Sequence, residues 1–143
     1  MTSSTNMAAS LTGTWKLLSF QIEEEGTTER HHVYDEKPAG VLIFTSEGRM
    51  VGLLTAGTRD QADSRALFDT LMAYSGRYKL KDGDRLVITV DCAWHPSWVG
   101  TEQARCAKID GDVLSLTSAF QDHPKYPGKR VRGLLVWQRE AMV

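Results

Sequence analysis

The sequence predicts an all-β fold: a single closed antiparallel barrel of about eight to ten strands, with one short amphipathic helix. Three observations carry this. Short apolar runs rich in β-branched and aromatic residues recur along the 143 residues, with turn signals between them. The connections are mostly of hairpin length. One stretch alone, residues 59–74, has helical rather than alternating spacing. A chain of sequential hairpins leaves exposed edges unless the sheet closes on itself, which favours a barrel.

The elements follow in order. Residues 15–22 form the first strand, ending in Glu23-Glu24-Glu25-Gly26, and an irregular stretch holds His31-His32-Val33-Tyr34. Pro38-Ala39-Gly40 introduces a strand at 41–45, and the tight turn Ser46-Glu47-Gly48 returns it through residues 49–55. In the helical stretch, Leu67, Leu71 and Tyr74 fall at i, i+4 and i+7 beside Phe68 and Met72, opposite Asp60, Asp63, Arg65 and Asp69. Such a helix would cap a barrel end or cover its mouth. Strands at 75–80, 85–92, 102–109, 113–119 and 130–139 complete the set, with turns at Lys81-Asp82-Gly83-Asp84 and Asp110-Gly111-Asp112.

Composition narrows the partners. With 17 basic and 18 acidic side chains the net charge is −1, which argues against nucleic acid or an anionic membrane, since both select for excess Lys and Arg. No apolar run approaches the ~18 residues of a membrane span. Residues 1–10 lack the basic and apolar regions of a secretory signal and read as a disordered leader to a domain over 11–140, with the cytoplasm as the expected compartment. Cys92 and Cys106 have no zinc or CxxC spacing, so they are expected as thiols, with no metal and no cofactor. A small-molecule ligand is the expected partner; a homodimer is allowed but not specified.

The motifs together resemble a known group. Leu11-Thr12-Gly13-Thr14-Trp15, Pro38-Ala39-Gly40-Val41-Leu42, Ser46-Glu47-Gly48-Arg49-Met50 and Tyr74-Ser75-Gly76-Arg77-Tyr78 are similar to the lipocalin-like domains of bacteria and fungi. So are Trp98-Val99-Gly100-Thr101-Glu102-Gln103-Ala104-Arg105 and Leu134-Leu135-Val136-Trp137-Gln138-Arg139, and the likeness spans residues 11–139. It implies a calycin-type barrel whose Gly13 lets backbone pass close under the floor that Trp15 plugs, with Arg139 stacked on Trp15. It implies a ligand cavity and no agreed reaction. Relatives carry histidine near the positions of Ile88 and Thr89; this chain does not.

Candidate site residues concentrate between Asp91 and Arg105. If Pro96 to Gly100 turns a hairpin about Val99, Cys92 lies opposite Cys106 and Asp91 lies diagonal to Arg105 on one face. Leu86, Ile88, Val90, Cys92 and Trp94 then form an apolar row, and Val87, Thr89, Asp91, Ala93 and His95 a mixed one. Hydrophobic patterning turns the apolar row inward and leaves Asp91 and Arg105 as an exposed ion pair. The sharper alternative places Asp91, His95 and Arg105 in the cavity as catalytic candidates: Arg105 anchoring a carboxylate, phenolate or enolate, Asp91 as base, His95 as proton shuttle. Tyr78, Trp94, Trp98, Arg105 and Tyr126 are the candidate ligand contacts. His31, His32 and the loop bearing His123 read as solvated connections.

Two functions follow, with a third in reserve. The first is binding of a small, largely apolar molecule, aromatic or polyketide-like, inside the barrel. The second is a cofactor-independent isomerase, cyclase or lyase working there. The third is an interaction module with a filled core. A pocket smaller than about 300 Å³ would count against both cavity readings.

Overall fold

The computed structural model describes residues 4–60, 63–122 and 126–141. Helix α1 (Ser4–Leu11) precedes β1 (Gly13–Glu24), β2 (Arg30–His32), β3 (Ala39–Phe44), β4 (Arg49–Thr55) and the five-residue helix α2 (Ser64–Phe68). Then come β5 (Leu71–Lys81), β6 (Arg85–Ala93), a 3₁₀ turn (Pro96–Trp98), β7 (Glu102–Asp110), β8 (Val113–Thr117), β9 (Gln121–Asp122) and β10 (Arg130–Arg139).

Eight strands close the barrel in the order β1-β3-β4-β5-β6-β7-β8-β10, and β10 returns antiparallel to β1. The short strands continue this wall. β2 pairs with the far end of β1 beyond β3, and β9 follows β8 along β10. Closure leaves no long unpaired edge among the described residues.

Strand alternation builds the interior. Leu42 and Phe44 of β3, Met50 and Leu54 of β4, Leu86, Ile88 and Val90 of β6, Leu114 and Leu116 of β8 and Trp137 of β10 are all buried. β1 changes phase within its length: Trp15 and Leu17 point inward, then Phe20 and Ile22. A bulge between Leu17 and Ser19 makes the switch and leaves the extra residue, Leu18, exposed.

Three expectations are corrected. Residues 4–10 do not form a disordered leader: they lie within α1, whose Met7 and Leu11 enter the core under the barrel. The helix expected over 59–74 shrinks to α2, and Leu71, Met72 and Tyr74 belong to β5; residues 61 and 62 lie outside the described set. The local helical spacing yields here to seven cross-strand pairings with β4, from Thr55↔Leu71 to Arg49↔Arg77. The third concerns β6 and β7. Cys106 stands opposite Arg85, not Cys92, and Arg105 pairs with Leu86. The ladder closes early: Gly100 N donates to Val90 O (2.9 Å) and Val90 N to Thr101 O (3.0 Å), so residues 91–99 leave it as an excursion.

Candidate functional site: an apolar cavity with a cationic wall

The floor is built first, because it decides where the space begins. Trp15 is fully buried; its indole Nε1 donates to Leu11 O at 2.9 Å, tying β1 to the end of α1. The Arg139 guanidinium lies 4.2 Å over the Trp15 ring, and Arg139 also donates to Thr12 O and Ser10 O. Gly13 has φ +130°, and a Cβ there would stand 3.3 Å from Arg139 Nη1, so the chain passes under the arginine only as glycine. Tyr78 sits at this end too: its hydroxyl donates to Thr45 O (2.8 Å), and its ring meets Phe44 edge-on. Tyr78 therefore braces the floor and is absent from the cavity lining.

Above the floor lies a cavity of about 240 Å³. Phe20, Ile22, Leu42, Leu54, Met72, Leu116 and Leu135 are among its apolar walls. Gly52 and Gly133 also line it, widening the space where side chains would otherwise project. The volume falls below the ~300 Å³ threshold and so counts against a drug-sized guest for both the binding and the enzyme reading. It exceeds the roughly 150 Å³ that accepts benzene. The dimensions suit one substituted ring.

A few polar groups converge on this apolar space. β7 alternates Gln103, Arg105 and the buried Ala107 along its inner face. The Gln103 amide donates to Thr101 Oγ1 (2.9 Å), and its Oε1 receives Arg105 Nη2 at 3.5 Å, while Arg105 Nη1 donates to Ala104 O at 2.8 Å. Tyr74 lies on the same cavity; burial raises its phenol above the usual range, and the nearby Arg105 charge offsets part of this. Deeper in, the Trp137 indole Nε1 is buried with no hydrogen-bond partner among the described residues. Leaving a buried donor unmade costs about 1–3 kcal/mol, so this indole is a locally costly feature of the barrel interior.

The residues singled out by sequence divide sharply. Arg105 and Trp98 line the cavity. Trp94 does not; it packs against Trp98 with ring centroids 5.1 Å apart, and its backbone N–H donates to Ala73 O. Tyr126 stacks on His31 outside the lining, at 6.5 Å. Asp91 is on the outer wall, where Arg49 Nη2 approaches Oδ2 at 2.7 Å and Ser75 donates to Oδ1. His95 is exposed and caps the 3₁₀ turn, its Nδ1 accepting from Ser97 N. Asp91 and Arg105 thus do not share a face, and the proposed catalytic trio is not assembled.

The β6–β7 register explains the separation: Arg105 pairs with the inward Leu86, whereas Asp91 follows the inward Val90 and falls on the outer row. Gly76 pairs with Val90 and Ser75 with Cys92, so Asp91 is the extra residue and the apolar row ends at Val90. Cys92, expected on the inner row, is exposed; both cysteines are free thiols. Sequence reasoning did not name Trp137 as a cavity residue. It also missed Gln103 and Gly133, although Gln103-x-Arg105-x-Ala107 carries the alternation of an inward face. His123 lies outside the described residues. Among those described, no cluster of three His, Cys, Asp or Glu could hold a metal, and no helix is long and apolar enough to cross a membrane.

Eight antiparallel strands closed around an apolar pocket define a calycin-type barrel. The lipocalin-like domain model matches residues 12–140, and the chain belongs to that family. It is also similar to the 4'-hydroxy-3'-methoxypropiophenone carrier protein ppsC of Aspergillus oryzae, 33% identical over 76 residues. That match covers 48% of this chain and 66% of the fungal protein, just under two thirds of its length. An uncharacterized protein from Bacteroides eggerthii DSM 20697 aligns over 91% of this chain and 99% of its own, at 16% identity and a TM-score of 0.45.

Proposed function

We propose that the protein is a carrier that holds a small, largely apolar molecule, aromatic or polyketide-like, inside its barrel. The observation that carries this reading is the cavity itself: enclosed, apolar-walled, of single-ring size, with only a few polar groups. The fungal relative, named as a carrier of an acylated methoxyphenol, supports the same ligand class. An interaction module with a filled core would leave no such space.

The isomerase, cyclase or lyase alternative needs a base at the cavity. Among the described lining residues the candidates are Tyr74, whose phenol burial raises above the usual range, and Arg105, a guanidinium with no acceptor site. Neither can act as a general base, which favours the carrier.

Quenching of tryptophan emission tests the reading, because Trp98 and Trp137 both line the cavity. Titration with 4'-hydroxy-3'-methoxypropiophenone should quench saturably, and Gly133→Leu, which fills the cavity, should abolish the response while the fold persists by circular dichroism. Quenching that survives the filled cavity would place the guest elsewhere and sink the proposal.

A further inference from the structure

The cavity contains a cation that the protein itself does not neutralise. Arg105 uses two of its five N–H donors, on Ala104 O and Gln103 Oε1, and both acceptors are uncharged. No carboxylate lies within ion-pair distance of it among the described residues; Arg59, Arg65, Arg77 and Arg85 share that lack, but Arg105 alone of the described arginines lines the cavity. Gln103 is held by Thr101, so its oxygen, not its amide nitrogen, meets the guanidinium. The arrangement orients the charge and leaves it uncompensated.

A second, independent vacancy lies deeper. Two indoles sit near the base of the barrel, and only one is satisfied: Trp15 Nε1 donates to Leu11 O, while Trp137 Nε1 has no partner although Trp137 is 1% exposed. The ladder gives their relative heights. Cys106 pairs with Thr117, which brings Arg105 level with Ser118, and Ser118 Oγ accepts from Gly133 N. Trp137 is four residues from Gly133 along β10, about 13 Å of strand. Inward-reaching side chains shorten that gap towards the length of one substituted ring.

We propose that the guest is bound as an oxyanion. It is a small conjugated molecule whose ionised oxygen, a carboxylate or an acidic phenol or enol, meets Arg105, and whose ring extends towards Trp137. This rests on the reading of the cavity as a binding site and adds to it the charge state of the ligand. A hydrogen bond to an ionised partner is about twice as strong as a neutral one, and here it forms in a water-poor space.

The test compares three probes on the intact protein by calorimetric titration, at pH values below and above the phenol's own pKa. The probes are 4'-hydroxy-3'-methoxypropiophenone, its O-methyl ether, and 4-hydroxy-3-methoxybenzoate. The phenol should tighten as it ionises and then exceed the ether by about ten- to a hundredfold, while the ether shows no pH dependence. Tight binding of the benzoate at every pH would assign the oxyanion to a carboxylate. Arg105→Met should flatten the phenol's pH profile, and Trp137→Phe should weaken all probes alike without changing that profile. The profile of the unaltered protein needs no variant, so misfolding of Arg105→Met cannot shield the proposal. If phenol and ether bind equally at all pH values, the oxyanion assignment is overturned and the carrier reading stands. If none of the three binds, both fall.

Discussion

Arg49 and Asp91 pair across β4 and β6 on the outside of the barrel, with Nη2 to Oδ2 at 2.7 Å and Nη1 to Oδ1 at 3.3 Å. This partnership holds the Asp91 carboxylate on the outer wall, away from the cavity. The hydrogen bond from Arg49 is the main reason the Asp91 carboxyl is held below its ordinary range. A depressed carboxyl contributes stability above the ordinary carboxylate range and loses it as pH falls through that range. Both side chains are exposed, so the contribution is small. Asp91→Asn should therefore leave ligand affinity unchanged and alter only the acid limb of the thermal stability profile. A tenfold loss of affinity by titration calorimetry would show that Asp91 acts on the guest after all.

The floor should be the most sensitive region. Leu11 is fully buried although it ends a helix that precedes the barrel. Leu11→Ala should cost about 2–5 kcal/mol, measured by urea denaturation. A loss close to zero would mean that α1 does not dock on the barrel in solution.

Three glycines separate packing from function. A Cβ on Gly76 would stand 2.1 Å from Thr89 O, a backbone atom at the bulge that cannot move aside cheaply. Gly76→Ala should destabilise by at least the ~1–3 kcal/mol of an overpacked core. At Gly52 and Gly133 the nearest atoms to a new Cβ are side-chain atoms at 3.5 and 3.6 Å, an ordinary contact. Alanine there should fold normally and weaken guest binding by narrowing the cavity. Thermal melts and ligand titrations on the same three variants check both halves of this expectation.

Alkaline pH should reveal Tyr34. Burial raises its phenol to about 12, with Arg59 opposing slightly, and its ring packs edge-on against Phe20. A raised folded-state pKa means the contribution is complete below the unfolded value of 10.0 and is lost as pH climbs to about 12. Stability should fall across that window, and Tyr34→Phe should make the fall shallower. Denaturant titrations at several alkaline pH values would show it.

Much of the barrel was legible in the order of residues. The last strand was expected at 130–139 and occurs there, because the apolar run Leu134-Leu135-Val136-Trp137 follows the Pro127-Gly128 turn and gives way to Gln138-Arg139-Glu140. The 41–55 hairpin was equally plain, its turn chemistry and alternation agreeing. Failures occurred where two patterns competed. Leu67, Leu71 and Tyr74 satisfy a helical spacing, but Met72 and Tyr74 also satisfy the alternation of β5. Pairing with β4, which local spacing cannot express, decides between them. The candidate site fared less well, since its assignment rested on the register of one ladder.

The sequence by itself therefore determined the fold class, through local periodicity, and, through its resemblance to lipocalin-like domains, the family and the floor motif of Gly13, Trp15 and Arg139. Only the tertiary structure decided which polar groups meet. A single extra residue at Asp91 reverses the phase of β6, and early closure of the β6–β7 ladder brings Arg105 opposite Leu86. The bulge turns Cys92 outward, while the register sets Arg105 on the inward row of Leu86 and leaves Asp91 on the outer one. Asp91 consequently faces Arg49 and solvent, Arg105 faces the cavity, and Trp137 keeps an indole N–H that no protein group among the described residues satisfies.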